Sequence, residues 1–209
     1  MQKSYHKFLR SAVALPIMAA HLAFSPITGA VSGIPSVAAI FPEQNRNLAS
    51  EALVNQQEAL AVEIGAKIDA YYGQYDLPLE GKGYELAKTA LEHGLPAESL
   101  AAMAMIESTG MRPGTCAQRT NNPFGYGSCK IKFNSVDEAI ETVARTLAAE
   151  NESTARFYEG KTFDQKLRVY NGYNADGAYV KKVNYVMSLI GKMEVAPGDA
   201  LATAAPEKA

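Results

Sequence analysis

The chain is predicted to be mainly α, with about six helices and one small loop or hairpin pinned by a disulfide. Three observations carry this reading. Apolar residues such as Leu53, Leu60, Ile64 and Ile68 recur near helical spacing in a Pro-free stretch. Helix start and stop signals punctuate the rest, and only Lys130–Phe133 alternates like a strand. The two cysteines, Cys116 and Cys129, lie within residues 109–134, where Gly, Pro and Asn dominate.

Leu48 to Tyr72 reads as the first helix, followed by a turn-rich joint from Gly73 to Gly83. A second helix spans Tyr84 to His93 and is stopped by Gly94. Pro96 is a favourable first helical position for a third, with Glu98 in its first turn and an end before Gly110. Residues 109–134 form the loop or hairpin. Ser135 with Glu138, and Thr162 with Gln165, have capping-box spacing and open helices to Ala149 and Tyr170. Asn171–Gly177 is a loop, and a sixth helix runs from Ala178 to about Met193.

The N-terminus has a different character. Lys3, Lys7 and Arg10 precede the mostly apolar run Ser11–Phe24, with no acid among them. This is the pattern of an export signal, with cleavage after Ala30 or Ala39. The run is short of the roughly 20 apolar residues of a good span, although an uncleaved anchor is the alternative. The expected organisation is therefore signal or anchor at 1–39, linker and N-terminal helix at 40–66, folded domain at 67–193 and disordered tail at 194–209. The expected location is secreted or in the cell envelope, with membrane contact only through the signal and the domain itself a monomer. An oxidising compartment makes a Cys116–Cys129 disulfide the expected state.

Composition removes several chemistries. With 47% hydrophobic and 20% charged residues the chain is of globular type. Its formal net charge of −2 carries no electrostatic footprint for nucleic acid. Of 3 His, only His93 follows the signal, which excludes a two-His zinc hydrolase and leaves no metal or cofactor expected. There is no P-loop, GxSxG or CxxC motif. A Cys–His peptidase built on His93 would need a cysteine that the disulfide removes. Acid–base chemistry must then come from carboxylates, and tyrosines, which in an exported protein points to glycoside cleavage.

Glu107 stands out among the acids. Leu100, Met103, Ala104 and Glu107 fall at i, i+3, i+4 and i+7, on one apolar helix face. Desolvation there raises a carboxyl pKa, and the negative end of the helix dipole acts in the same direction. An acid kept protonated near neutral pH is what a glycosidic leaving oxygen requires. The alternative is a Glu at a frayed helix end, turned to solvent or paired with Arg112.

Three blocks follow in order: Ala104-Met105-Ile106-Glu107-Ser108-Thr109-Gly110, then Asn121-Asn122-Pro123-Phe124-Gly125-Tyr126-Gly127, then Gly172-Tyr173-Asn174-Ala175-Asp176-Gly177-Ala178-Tyr179. Together they resemble the bacterial endo-β-N-acetylglucosaminidase family, the flagellar and autolysin type of peptidoglycan hydrolase, over roughly residues 67–193. The resemblance implies a lysozyme-like α+β domain and cleavage of the peptidoglycan glycan strand. It assigns Glu107 as general acid, the Asn122, Phe124 and Gly125 loop as cleft lining, and Tyr173 as a residue near the reacting sugar. Tyr179 matches the later, more structural Tyr.

The chain departs from the family pattern in Pro123, which stands for Leu, and in a short loop with a cysteine bridge. The lobe that usually brings a second acid is truncated. A lytic transglycosylase, which shares the fold and uses one Glu, is the runner-up, and a non-catalytic glycan-binding module is a further alternative. A structural partner of a secretion or flagellar apparatus, docking through the helix Leu48–Tyr72, is another. Asp137, Glu138 and Asp176 are candidates for a second acid, although first-turn placement and helix capping account better for Asp137 and Glu138, and turn formation accounts for Asp176 as well. Asn121 and Asn122 could serve N-acetyl groups or form a turn. Tyr126, Phe124 and Tyr179 complete the candidate substrate-binding set, with core packing the competing role for Phe124.

Overall fold

A computed structural model describes residues 43–172 and 177–196. Among them are eight α-helices and no strand: α1 (Glu43–Gly73), α2 (Gly83–Glu92), α3 (Ser99–Ser108), α4 (Cys116–Thr120), α5 (Val136–Ala148), α6 (Ala155–Tyr158), α7 (Phe163–Tyr170) and α8 (Ala178–Gly191). A 3₁₀ turn spans Tyr126–Cys129. The segment expected as an export signal or anchor (1–39), and residues 197–209 of the expected tail, lie outside the described residues. No described helix is long and apolar enough to cross a membrane.

Helix α3 is apolar on nearly every side, SLAAMAMIES, and a helix of that kind belongs in the middle of a core. Ser99 through Ala104 are all buried, against α2 on one side and α8 on the other. Small residues let neighbours come close: the buried Tyr72 hydroxyl donates to the Ala101 carbonyl at 2.8 Å. That bond satisfies a polar group that would otherwise be costly in the core.

Helix α1 divides in two. From Ala61 on it packs, burying Ile64, Ile68, Tyr71 and Tyr72. Before that, Leu48, Leu53 and Val54 are exposed, Leu53 by 63%. The apolar spacing of Leu53 and Leu60 therefore does not continue the core face of Ile64 and Ile68. Where α1 meets α2 the backbones nearly touch. A Cβ on Gly83 would stand 2.1 Å from the Gly65 carbonyl oxygen, and one on Gly65 would stand 2.7 Å from Tyr84 Cα. Asp69 seals this crossing, its Oδ1 accepting from the Gly81 and Gly83 amides at 2.8 Å each.

The capping expectations resolve differently at the two sites. Thr162 and Gln165 form the reciprocal box at the start of α7. At α5, Ser135 accepts from the Glu138 amide, but the Glu138 carboxylate takes the Asn134 amide instead.

Of the two alternatives for the disulfide-pinned segment, loop or hairpin, the loop forms. Cys116 and Cys129 are bonded, S–S 2.02 Å, and the chain between them holds α4 and the 3₁₀ turn. Asn121, Gly125, Gly127, Ser128 and Cys129 all have positive φ, between 50° and 62°, which no strand ladder accommodates. The alternation at Lys130–Phe133 reflects one anchor: Phe133 is buried, while Ile131 is 40% exposed. The short helices α4 and α6 were not foreseen; a single helical turn has too few residues to show a period.

Candidate active site

Glu107 sits in the last turn of α3. Leu100, Met103 and Ala104 on its face are fully buried, but by Glu107 the helix has run past the core, and the side chain opens onto a cleft. The cleft, about 290 Å³, is lined by Glu107, Phe124, Gly125, Tyr126, Tyr158 and Tyr170, among others. Glu107 is reachable by water yet surrounded by protein on the concave side, and this desolvation raises its pKa. The Tyr179 hydroxyl acts in the opposite direction, favouring the carboxylate, but more weakly.

Each wall has a local cause. Thr109, with φ 52°, ends α3 in the left-handed region, its amide donating to the Met105 carbonyl at 2.9 Å. The loop after α4 is held by Asn122, which is fully buried. Its Nδ2 donates to the carbonyls of Tyr126 (2.8 Å) and Ile131 (3.1 Å), and its Oδ1 accepts from the Tyr126 amide (2.9 Å). Gly125, with φ 60°, brings loop backbone against the acid, such that a Cβ there would stand 3.4 Å from Glu107 Oε2. Helix α7 supplies Tyr170, whose hydroxyl donates to the Phe124 carbonyl at 2.8 Å and whose ring stacks on Tyr126 at 6.5 Å.

Two tyrosines condition the acid. Burial, and then the Glu107 charge, raise the pKa of both Tyr170 and Tyr179, so both stay neutral when Glu107 ionises. Tyr179 is buried and its hydroxyl makes no hydrogen bond of normal geometry, although it interacts with the Glu107 carboxyl. It is placed as a neighbouring donor for the carboxylate.

The structure sorts the residues singled out from the sequence. Glu107, Tyr126 and Tyr179 come together. Phe124 backs the cleft with its ring in the core, fully buried. Asn121 and Asn122 spend their side-chain amides on the loop's own backbone, Asn121 Nδ2 donating to the Phe133 carbonyl at 3.1 Å. Tyr173 and Asp176 lie outside the described residues. Asp137 pairs with Lys82 at 2.9 Å and Glu138 caps the Asn134 amide, so both are held away from the cleft. Arg112 makes no ion pair with Glu107 and lines a different cavity. His93 lies between Glu141 (3.2 Å) and Glu150 (2.8 Å), remote from cysteine chemistry. Tyr158 and Tyr170 were missed; a lone Tyr at a helix end carries no sequence signal beyond its aromatic ring.

A larger concavity of about 450 Å³ lies by the end of α5, lined by Glu141, Thr142, Arg145, Glu150, Asn151 and Glu152. Its lining carries no aromatic ring, whereas Tyr126, Tyr158 and Tyr170 line the smaller cleft, which is therefore the better site for a sugar ring.

A mainly helical domain, with a desolvated acid ending its central helix above a tyrosine-walled cleft, has the construction of a lysozyme-like glycan hydrolase. Residues 84–192, just over half of the chain, match the Glucosaminidase family model, described as mannosyl-glycoprotein endo-beta-N-acetylglucosaminidase, and the chain belongs to that family. No curated protein and no solved structure matches the chain.

Proposed function

We propose that the protein is an endo-β-N-acetylglucosaminidase that cleaves the β-1,4 bond of the peptidoglycan glycan strand, with Glu107 as general acid. The observation that carries this reading is the desolvated Glu107 carboxyl with raised pKa, opening onto a cleft bounded by aromatic rings. Protonated Glu107 donates to the leaving glycosidic oxygen. The Tyr179 hydroxyl then faces the new carboxylate and stabilises it. Tyr126 presents a ring face to a sugar.

Among the described residues lining the cleft, Glu107 is the one carboxylate. This favours a route in which the substrate's own N-acetyl oxygen attacks the anomeric carbon, a recognised exception to the two-carboxylate scheme. The Glu107 carboxylate then takes a proton from the incoming water. The same observation supports a second reading, a lytic transglycosylase, in which a sugar hydroxyl replaces that water. The export pattern at the N-terminus and the Cys116–Cys129 bridge support a site of action in the cell envelope or outside the cell.

Digestion of purified peptidoglycan, followed by mass spectrometry, tests these readings. Products with reducing-end N-acetylglucosamine, reduced about 10²–10⁴-fold in Glu107→Gln, are expected. Anhydro-muramic ends would transfer the protein to the transglycosylase class. A folded sample that cleaves no wall type but binds glycan equally well as Glu107→Gln would make it a binding module.

A further inference from the structure

A second cavity, about 330 Å³, lies at the same end of α3 and has a different chemistry. Its walls are Tyr75, Leu77, Met105, Pro113, Asp76 and Arg112. Tyr75 is 54% exposed, its ring held edge-on against Tyr71 at 5.6 Å. Among the described residues, neither Arg112 nor Asp76 has an ion-pair partner. The cavity thus combines an apolar wall with one cation and one anion that no described residue pairs. Asp76 and Thr109 at its rim hold left-handed backbone, φ 49° and 52°, as does Met111 at 63°.

We infer that this cavity binds the short peptide that branches from the glycan strand, its carboxylates on Arg112, its amino group on Asp76 and its small apolar side chains against Tyr75, Leu77 and Met105. The inference rests on the peptidoglycan reading of the Glu107 cleft. Charge complementarity supports this occupant over a further sugar. A neutral N-acetyl sugar would leave Arg112 and Asp76 unused, whereas the peptide carries both signs.

Geometry agrees. Met105 and Thr109 are four residues apart and share one helix face, and Glu107 between them points to the other. A helix with its side chains is roughly 10–12 Å across. An extended branch of about four residues reaches roughly 13–14 Å, enough to pass around the helix end from a glycan in the cleft. The guanidinium's fork of donors fits a carboxylate in two-point contact.

The test uses two readouts on the full chain: binding of the free peptidoglycan tetrapeptide, and cleavage of glycan strands with and without their peptides. Arg112→Gln and Asp76→Asn, both exposed, are checked for folding by circular dichroism. The tetrapeptide is expected to bind the wild type, about tenfold more weakly to Arg112→Gln. Both variants are expected to lose kcat/KM on peptide-bearing strands and to keep it on stripped strands. Absent binding, binding indifferent to both variants, or equal losses on both polymers would overturn the inference. If the wild type cleaves neither polymer while Arg112-dependent binding persists, the hydrolase reading fails and the peptide site stands.

Discussion

As the proposed general acid, Glu107 would serve reaction and stability in opposite ways. Its side chain is solvent-accessible but its carboxyl is partly desolvated, and that raises its pKa. A carboxyl whose folded pKa exceeds its unfolded value stabilises the fold while protonated, and that contribution is lost as pH rises through the folded value. Glu107→Gln keeps the shape and removes the charge. The variant is therefore expected to melt higher than wild type at neutral pH, with the gap closing as pH falls below the ordinary carboxylate range. Thermal melts of both proteins across that range check it; a gap that widens toward acid would refute a raised pKa. The activity of the wild type is expected to fall as pH rises through the same raised value, because the proton to be donated is gone.

Gly125 acts beside it. Its positive φ favours glycine, while a Cβ there would meet Glu107 Oε2 in ordinary contact at 3.4 Å. The Glu107 carboxyl is thus bordered by main chain as well as by rings. The φ requirement does not show in the sequence, where Gly125 is one of several glycines in a turn-rich loop.

At the scale of elements, the crossing of α1 and α2 is the tightest joint. A methyl at Gly83 meets the Gly65 carbonyl oxygen at 2.1 Å and the Asp69 Oδ1 at 2.7 Å. Main chain cannot yield as a flexible side chain can. Gly83→Ala is expected to cost about 3 kcal/mol by forcing the helices apart. Gly94→Ala, at φ +64° with nothing within 4 Å, is expected to cost only about 1 kcal/mol of left-handed strain. Urea titrations of both variants separate close approach from backbone conformation. The sequence marks both residues alike, as glycines at a helix boundary.

Across the molecule, the disulfide joins α4 to the 3₁₀ turn over a sequence separation of 13. A loop of that size contributes about 3 kcal/mol in the chain-entropy model. The bridged segment includes Phe124, Gly125 and Tyr126, which line the cleft, while the helical core of α1, α2, α3 and α8 lies outside the bridge. Mild reduction, or Cys116→Ser with Cys129→Ser, is expected to lower glycan cleavage before the far-UV helical signal falls. Simultaneous loss of both would make the bridge a general stability element.

The positions of most helices were legible from local chemistry. Leu86 and Ala90 on α2, Leu100 and Met103 on α3, and Val183 and Ile190 on α8 face the core because helical spacing and hydrophobic burial leave few alternatives. The acid ending α3 was legible for the same reason, as a charge where the pattern calls for an apolar residue. What the loop between the cysteines does was not. Asn121 and Asn122 offer the same donors and acceptors to a sugar or to a carbonyl, and only the folded loop directs them to Tyr126, Ile131 and Phe133. Tyr158 and Tyr170 reach the cleft because α6 and α7 fold back over it, a long-range arrangement that no local pattern encodes. Local chemistry established the helices and the acid; contacts between residues distant in sequence set the cleft around that acid, because burial and close approach exist only once the elements have packed.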